Sequence, residues 1–102
     1  MPAVADDVDR WIQDLKDPTP SIRGAAAETL GKLNDARAVE PLIQVLKDSD
    51  VNVRLNEAVS LGELNDARAV EPLIQAQNDL YSFVRENATE ALTKLGWQAP
   101  KH

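Results

Sequence analysis

Twelve consecutive residues, LNDARAVEPLIQ from Leu33 to Gln44, recur unchanged from Leu64 to Gln75, an offset of 31. The same offset relates Arg23, Arg54 and Arg85, then Asp17, Asp48 and Asp79, then Leu30, Leu61 and Leu92. It also extends backwards, because Val8, Trp11, Ile12, Gln13, Leu15 and Lys16 align with Val39, Leu42, Ile43, Gln44, Leu46 and Lys47. A period in this range is the mark of stacked supersecondary units, each unable to hide its apolar side alone. Three copies are read, at about 4–34, 35–65 and 66–96, with 97–102 as a tail. They form one domain spanning 1–102.

Periodicity within a copy predicts two helices. Val39, Leu42, Ile43 and Leu46 are spaced as the apolar stripe of a first helix, A, and Val53, Ala58, Leu61 and Leu64 as that of a longer second helix, B, over Val51–Leu64. Asp48, Ser49 and Asp50 supply turn and N-cap chemistry between them. Pro41 and Pro72 are tolerated only in a first helical turn, which makes Asp35 to Val39 a tight turn. Gly31 and Gly62 weaken a helix interior by about 1 kcal/mol each unless close packing requires them, so B helices are expected to touch there. Gly96 and Trp97 close the last helix. Six helices in three stacked pairs give an all-α, solenoid fold.

Composition narrows the function. The chain has 102 residues, 43% hydrophobic and 27% charged, with no cysteine and a net charge of −6. Disulfides, thiolate catalysis and sulfur-held metals are excluded, and the acidic balance repels a phosphate backbone, so nucleic acid is not expected as a partner. No run approaches the roughly 20 apolar residues that span a bilayer, and Met1 to Trp11 lacks the pattern of a secretory signal. No membrane partner and a cytoplasmic location are the expectations. The one histidine, His102, is the last residue, where a general base cannot be held; no metal-binding loop, phosphate loop or nucleophile elbow is present. The chain reads as non-catalytic, with no metal and no cofactor. Asn87-Ala88-Thr89 is a glycosylation sequon inside a predicted helix and is discounted.

Val53-Arg54, Ala58, Leu61-Gly62 and Leu64, followed by the stretch from Asn65 to Ile74, resemble the short HEAT-like repeats of the phycobilisome-lyase type, and the resemblance covers nearly the whole chain. Its period is shorter than the ~40–47 residues of the longer HEAT and armadillo repeats. The resemblance implies an α-solenoid in which helix A lies outside and helix B lines a concave face that meets a partner. Carried over residue by residue, that face comprises Val51, Asn52, Leu55, Asn56, Val59 and Glu63 in the middle copy. Ser21, Gly24, Ala25, Glu28 and Lys32 precede it, and Ser82, Phe83, Glu86, Asn87, Glu90 and Lys94 follow.

Val51, Leu55 and Val59 make an apolar stripe offset from the core stripe of the same helix. Two readings stand: the stripe is tucked against neighbouring helices, or it is an open strip rimmed by Asn52, Asn56, Glu63, Glu86 and Asn87 that receives a partner segment. Asn56 and Asn87 occupy equivalent positions and could present an amide ladder. Glu28, Glu57, Glu86 and Glu90 read as surface acids that favour a basic partner or merely solvate the helix. Arg23, Arg54 and Arg85 read as structural, each pairing with an aspartate such as Asp48 or Asp79 of the adjacent repeat. In the third copy Gln77 replaces Leu15 and Leu46, while Leu80, Tyr81 and Phe83 crowd the A to B turn. Either they fill the gap in the core or they mark a lateral contact, a weak homodimer through a terminal repeat. Trp11 and Trp97 cap the two ends.

The leading functional expectation is a scaffold that binds another protein on the concave face. An accessory subunit of a chromophore lyase, and a structural or designed module without a ligand, are the alternatives.

Overall fold

The computed structural model describes residues 4–100, so His102 lies outside the described residues. The helices are α1 (Val4–Asp14), α2 (Pro20–Leu33), α3 (Val39–Gln44), α4 (Val51–Leu64), α5 (Val70–Ala76) and α6 (Ser82–Lys94). Short 3-10 turns at Ala36–Ala38 and Ala67–Ala69 precede α3 and α5, and no strand occurs among the described residues. The B helices α2, α4 and α6 pack side by side as one layer, and the A helices α1, α3 and α5 each lie on the B helix of their own copy. The result is an elongated all-α solenoid with extents of 55 × 25 × 16 Å.

The recurring dodecamer is the joint between copies. Asn34 and Asn65 end α2 and α4 in the left-handed region, at φ 54° and 53°, which asparagine tolerates better than most residues. Asp35 and Asp66 then cap the 3-10 turns by accepting the Arg37 and Arg68 N–H groups at 2.9 Å. The guanidinium of each arginine also binds the same carboxylate, holding Asp35 and Asp66 down to about 2. Arg68 reaches back to Glu40 at 3.6 Å and Arg37 to Asp9 at 3.9 Å, so each joint also touches the preceding repeat. Pro41 and Pro72 fall in the first turn of α3 and α5, the one part of a helix where a missing N–H costs no bond.

One continuous core runs through the stack, with Leu15, Leu30, Leu42, Leu61, Leu73 and Leu92 each at most 2% exposed. Trp11 and Trp97 are half-buried against its two ends, as expected of caps. Gly96 at φ 82° turns the chain after α6, and the Trp97 N–H bonds back to the Leu92 carbonyl at 3.0 Å.

The B layer is tight where the glycines stand. A Cβ on Gly62 would lie 2.8 Å from Ala91 Cβ and 2.9 Å from Ala91 Cα, and one on Gly31 would lie 2.6 Å from Ser60 Oγ. At the same register α6 carries Thr93, which is exposed and faces no further helix. Gly62→Ala is therefore expected to cost about 2 kcal/mol through forced separation of α4 from α6. Thr93→Ala should stay within about 0.5 kcal/mol. Urea unfolding midpoints of the two variants provide the comparison.

Candidate functional site

Two surfaces could support recognition, one on each side of the helix layers. The first is the B-helix face. Along α4, Val51, Leu55 and Val59 are half-buried, and Asn52 and Glu63 are exposed. On α6, Phe83 is 65% exposed, Glu86 and Glu90 are exposed and Asn87 is half-buried. Val59 meets Asn87, Glu90 and Ala91 in a shallow hollow between the two helices. Val59 is thus partly tucked against α6, and all three side chains of the stripe keep an open edge.

The asparagines do not form an outward ladder. Asn56 donates from its Nδ2 to the Gly24 carbonyl of α2 at 3.3 Å, and Asn87 donates to the Phe83 carbonyl of its own helix at 2.7 Å. An amide already committed to backbone has less to offer a partner. Asn56 therefore belongs to the α2/α4 interface, beside Ser60, whose hydroxyl donates to the Ala27 carbonyl at 2.6 Å.

Arg23 and Arg54 staple consecutive repeats. Arg23 binds Asp48 through Nε at 2.8 Å and Nη2 at 3.0 Å, and its Nη1 donates to the Asp17 carbonyl at 2.8 Å. Arg54 repeats the arrangement one copy on, with Nε to Asp79 at 2.7 Å and Nη1 to the Asp48 carbonyl at 2.7 Å. Its guanidinium also lies 5.9 Å from the Tyr81 ring centroid, a cation–π distance. The hydrogen bond to Asp48 raises the Arg23 pKa. Burial alone would push Asp79 up, but the hydrogen bonds from Arg54 and from the Tyr81 N–H outweigh it and hold Asp79 below its ordinary value. Arg85 departs from the expected pairing: it is exposed and donates to the Asp79 carbonyl at 2.7 Å, with no ion pair to a described carboxylate. A staple joins an arginine to the aspartate 25 residues later, and three copies hold only two such pairs.

Glu57 corrects the reading of a surface acid. Its side chain is 0% exposed, and neither oxygen has a hydrogen-bond partner among the described residues. Burial, with the nearby Asp48 charge adding to it, raises its pKa to about 9 against the opposing pull of Arg23 and Arg54. The group is a neutral acid at pH 7. The signal was present in the sequence, since the same register holds Ala26 and Ala88, both 0% exposed.

The second surface lies on the A side, between α3 and α5. It is a groove of about 680 Å³ walled by Ile43, Leu46, Pro72, Ala76 and Leu80, with Arg54 and Asp79 also lining it. Sequence reasoning did not anticipate it. Leu80, Tyr81 and Phe83, which crowd the third turn, do not fill the core: they are 91%, 50% and 65% exposed. Gln77 sits half-buried, and its amide donates to Thr89 Oγ1 at 3.0 Å.

No group of three or more metal-capable side chains occurs among the described residues, and no described helix is long and apolar enough to cross a membrane. No curated protein matches the sequence well enough to count as a relative. The family described as HEAT repeats matches residues 8–93, a span that includes both arginine staples, the dodecamer joints and the packed B layer, and the chain belongs to the HEAT repeat family.

Proposed function

We propose that the protein is a non-catalytic scaffold of the short, phycobilisome-lyase-like HEAT type, and that its B-helix face, the concave side by family resemblance, docks a segment of another protein. HEAT repeats generally mediate protein–protein interaction. The observation that carries the site is Phe83, a large aromatic 65% exposed at the start of α6, where the two preceding copies have Asn52 and Ser21. With the open edges of Leu55 and Val59 it gives an apolar centre, and Asn52, Glu63, Glu86 and Glu90 give a polar rim, the anatomy of an interface. The exposed acids on this face favour a segment carrying basic residues at its edges.

The test is retention of partners from the source cells by the wild type and by Phe83→Ser, Leu55→Asp and Val59→Asp. Phe83 contributes little to the core, so Phe83→Ser is expected to keep the fold and lose at least about tenfold in affinity. A partner held equally by all four proteins would place its site elsewhere.

A further inference from the structure

The third A to B turn carries a large apolar side chain, Leu80, that the fold does not bury. Leu80 and Tyr81 stand where the second copy has Ser49 and Asp50 and the first has Pro18 and Thr19. Asp50 caps α4, accepting the Asn52 and Val53 N–H groups at 2.8 and 3.1 Å. Neither Thr19 nor Tyr81 gives its helix a side-chain cap, but Tyr81 lies against the Arg54 guanidinium, so Leu80 is the residue of this turn without a use in the fold. Leu80, at 91% exposure where the siblings carry Pro18 and Ser49, returns nothing to the core. Large apolar side chains left in water side by side, Leu80 at 91% and Tyr81 at 50% exposure, mark a surface shaped for contact.

Beside this knuckle lies the groove between α3 and α5, and Leu80 itself forms part of its wall. Knob and hollow are adjacent on one chain, which is the condition for a self-complementary patch: across a two-fold axis each copy's knob meets the other's hollow. The charges agree. Lys47 and Glu71 both line the groove, are exposed, and neither is ion-paired to a described residue, so each copy offers one free charge of either sign for a reciprocal pair with the other. Arg54 and Asp79 in the groove already neutralise one another. The patch is thus locally neutral in a chain of net charge −6, which keeps like-charge repulsion between copies small there.

We infer that this A-side patch is a dimer interface between two copies of the chain, in which Leu80 of each enters the α3/α5 groove of the other and Lys47 pairs with Glu71 across the axis. The B-helix face stays open on both copies, so the dimer would present two partner sites and bind a divalent target with an avidity neither face has alone. The patch is small, and the association is weak, in the micromolar range or above.

Sedimentation velocity of the full chain from roughly 10 µM to 1 mM tests it. The wild type should pass from monomer to dimer. Leu80→Asp, at a solvent-facing position, should shift the midpoint upward by at least about tenfold with an unchanged circular dichroism spectrum. Lys47→Glu and Glu71→Lys should each weaken the dimer, and the double exchange within one chain should restore it, because a two-fold contact carries both halves of the pair. A wild type monomeric throughout, a dimer indifferent to Leu80→Asp, or single reversals that the exchange does not rescue would each overturn the interface. Phe83→Ser should leave dimerisation unchanged, which separates this surface from the partner site.

Discussion

Replacing Glu57 with glutamine is expected to flatten the dependence of stability on pH across the neutral and alkaline range. In the wild type, burial holds the Glu57 carboxyl protonated up to about 9, against an ordinary value of 4.5. Between those two values the unfolded chain has released its proton and the folded chain has not. Folding therefore takes up a proton, and stability falls as pH rises, with a limiting slope of about 1.4 kcal/mol per pH unit. The contribution is fully present below 4.5 and is gone once pH has passed about 9. Asp35 and Asp66, each held at about 2, act in the opposite sense: their contribution is present above the ordinary 3.8 and is lost as pH falls through 2. Stability is thus expected to peak near pH 4 to 5, more acidic than the usual optimum between about 5 and 8. Glu57→Gln keeps the shape and removes the titration. Glu57→Ala restores the residue type of the sibling positions Ala26 and Ala88, removes two unpartnered oxygens, and should be the most stable of the three at pH 8. Urea midpoints between pH 4 and pH 9 decide the matter; a wild-type curve that rises or stays level from pH 5 to pH 8 would show that Glu57 ionises normally.

Glu57 shows the limit of what a repeat period encodes. The period of 31 locates every helix, because an exact recurrence transfers what is learned from one copy to the next, and α4 has the bounds Val51–Leu64 that its apolar spacing implies. The staples were also legible: an arginine kept at one register beside an aspartate kept at another leaves few partners. What periodicity cannot report is which face of a B helix meets its neighbour, since that depends on the angle between copies. Glu57 follows the core residue Val53 by one turn and faces inward, yet a glutamate is read by default as solvated; only its alanine siblings argue otherwise. Asn56 and Asn87 share a register but not an environment, one bonding across to Gly24 and the other within its own helix: a Cβ on Gly24 would lie 3.1 Å from the Asn56 amide, and the position equivalent to Gly24 on the helix before Asn87 is Leu55. The groove at Ala76 and Leu80 was invisible for a related reason. It arises between two A helices whose separation is set by the B layer beneath them, a distance that no single copy encodes.

Arg54→Leu is expected to destabilise the stack by about 2 to 3 kcal/mol, although leucine packs as well as the arginine stem. The arginine and Asp79 side chains are only 14% and 11% exposed, so deleting the guanidinium strands a carboxylate in a poorly hydrated site and leaves the Asp48 carbonyl without its donor at 2.7 Å. The contact with Tyr81 is lost as well. Without Arg54, burial becomes the larger influence on Asp79 and its pKa rises, so the variant should recover part of its deficit in acid, where the carboxyl is neutral. Arg54→Lys keeps a charge but cannot offer Nε and Nη groups in one rigid fork, and should fall between wild type and Arg54→Leu. Asp79→Asn removes the other partner and permits a double-mutant cycle. A staple that couples the second and third repeats predicts a coupling energy above about 1 kcal/mol, and an amide-exchange pattern in which α6 opens before α2 and α4. Coupling near zero, with α6 as well protected in Arg54→Leu as in the wild type, would mean that glycine-mediated contact in the B layer holds the repeats together and the ion pairs only set their register.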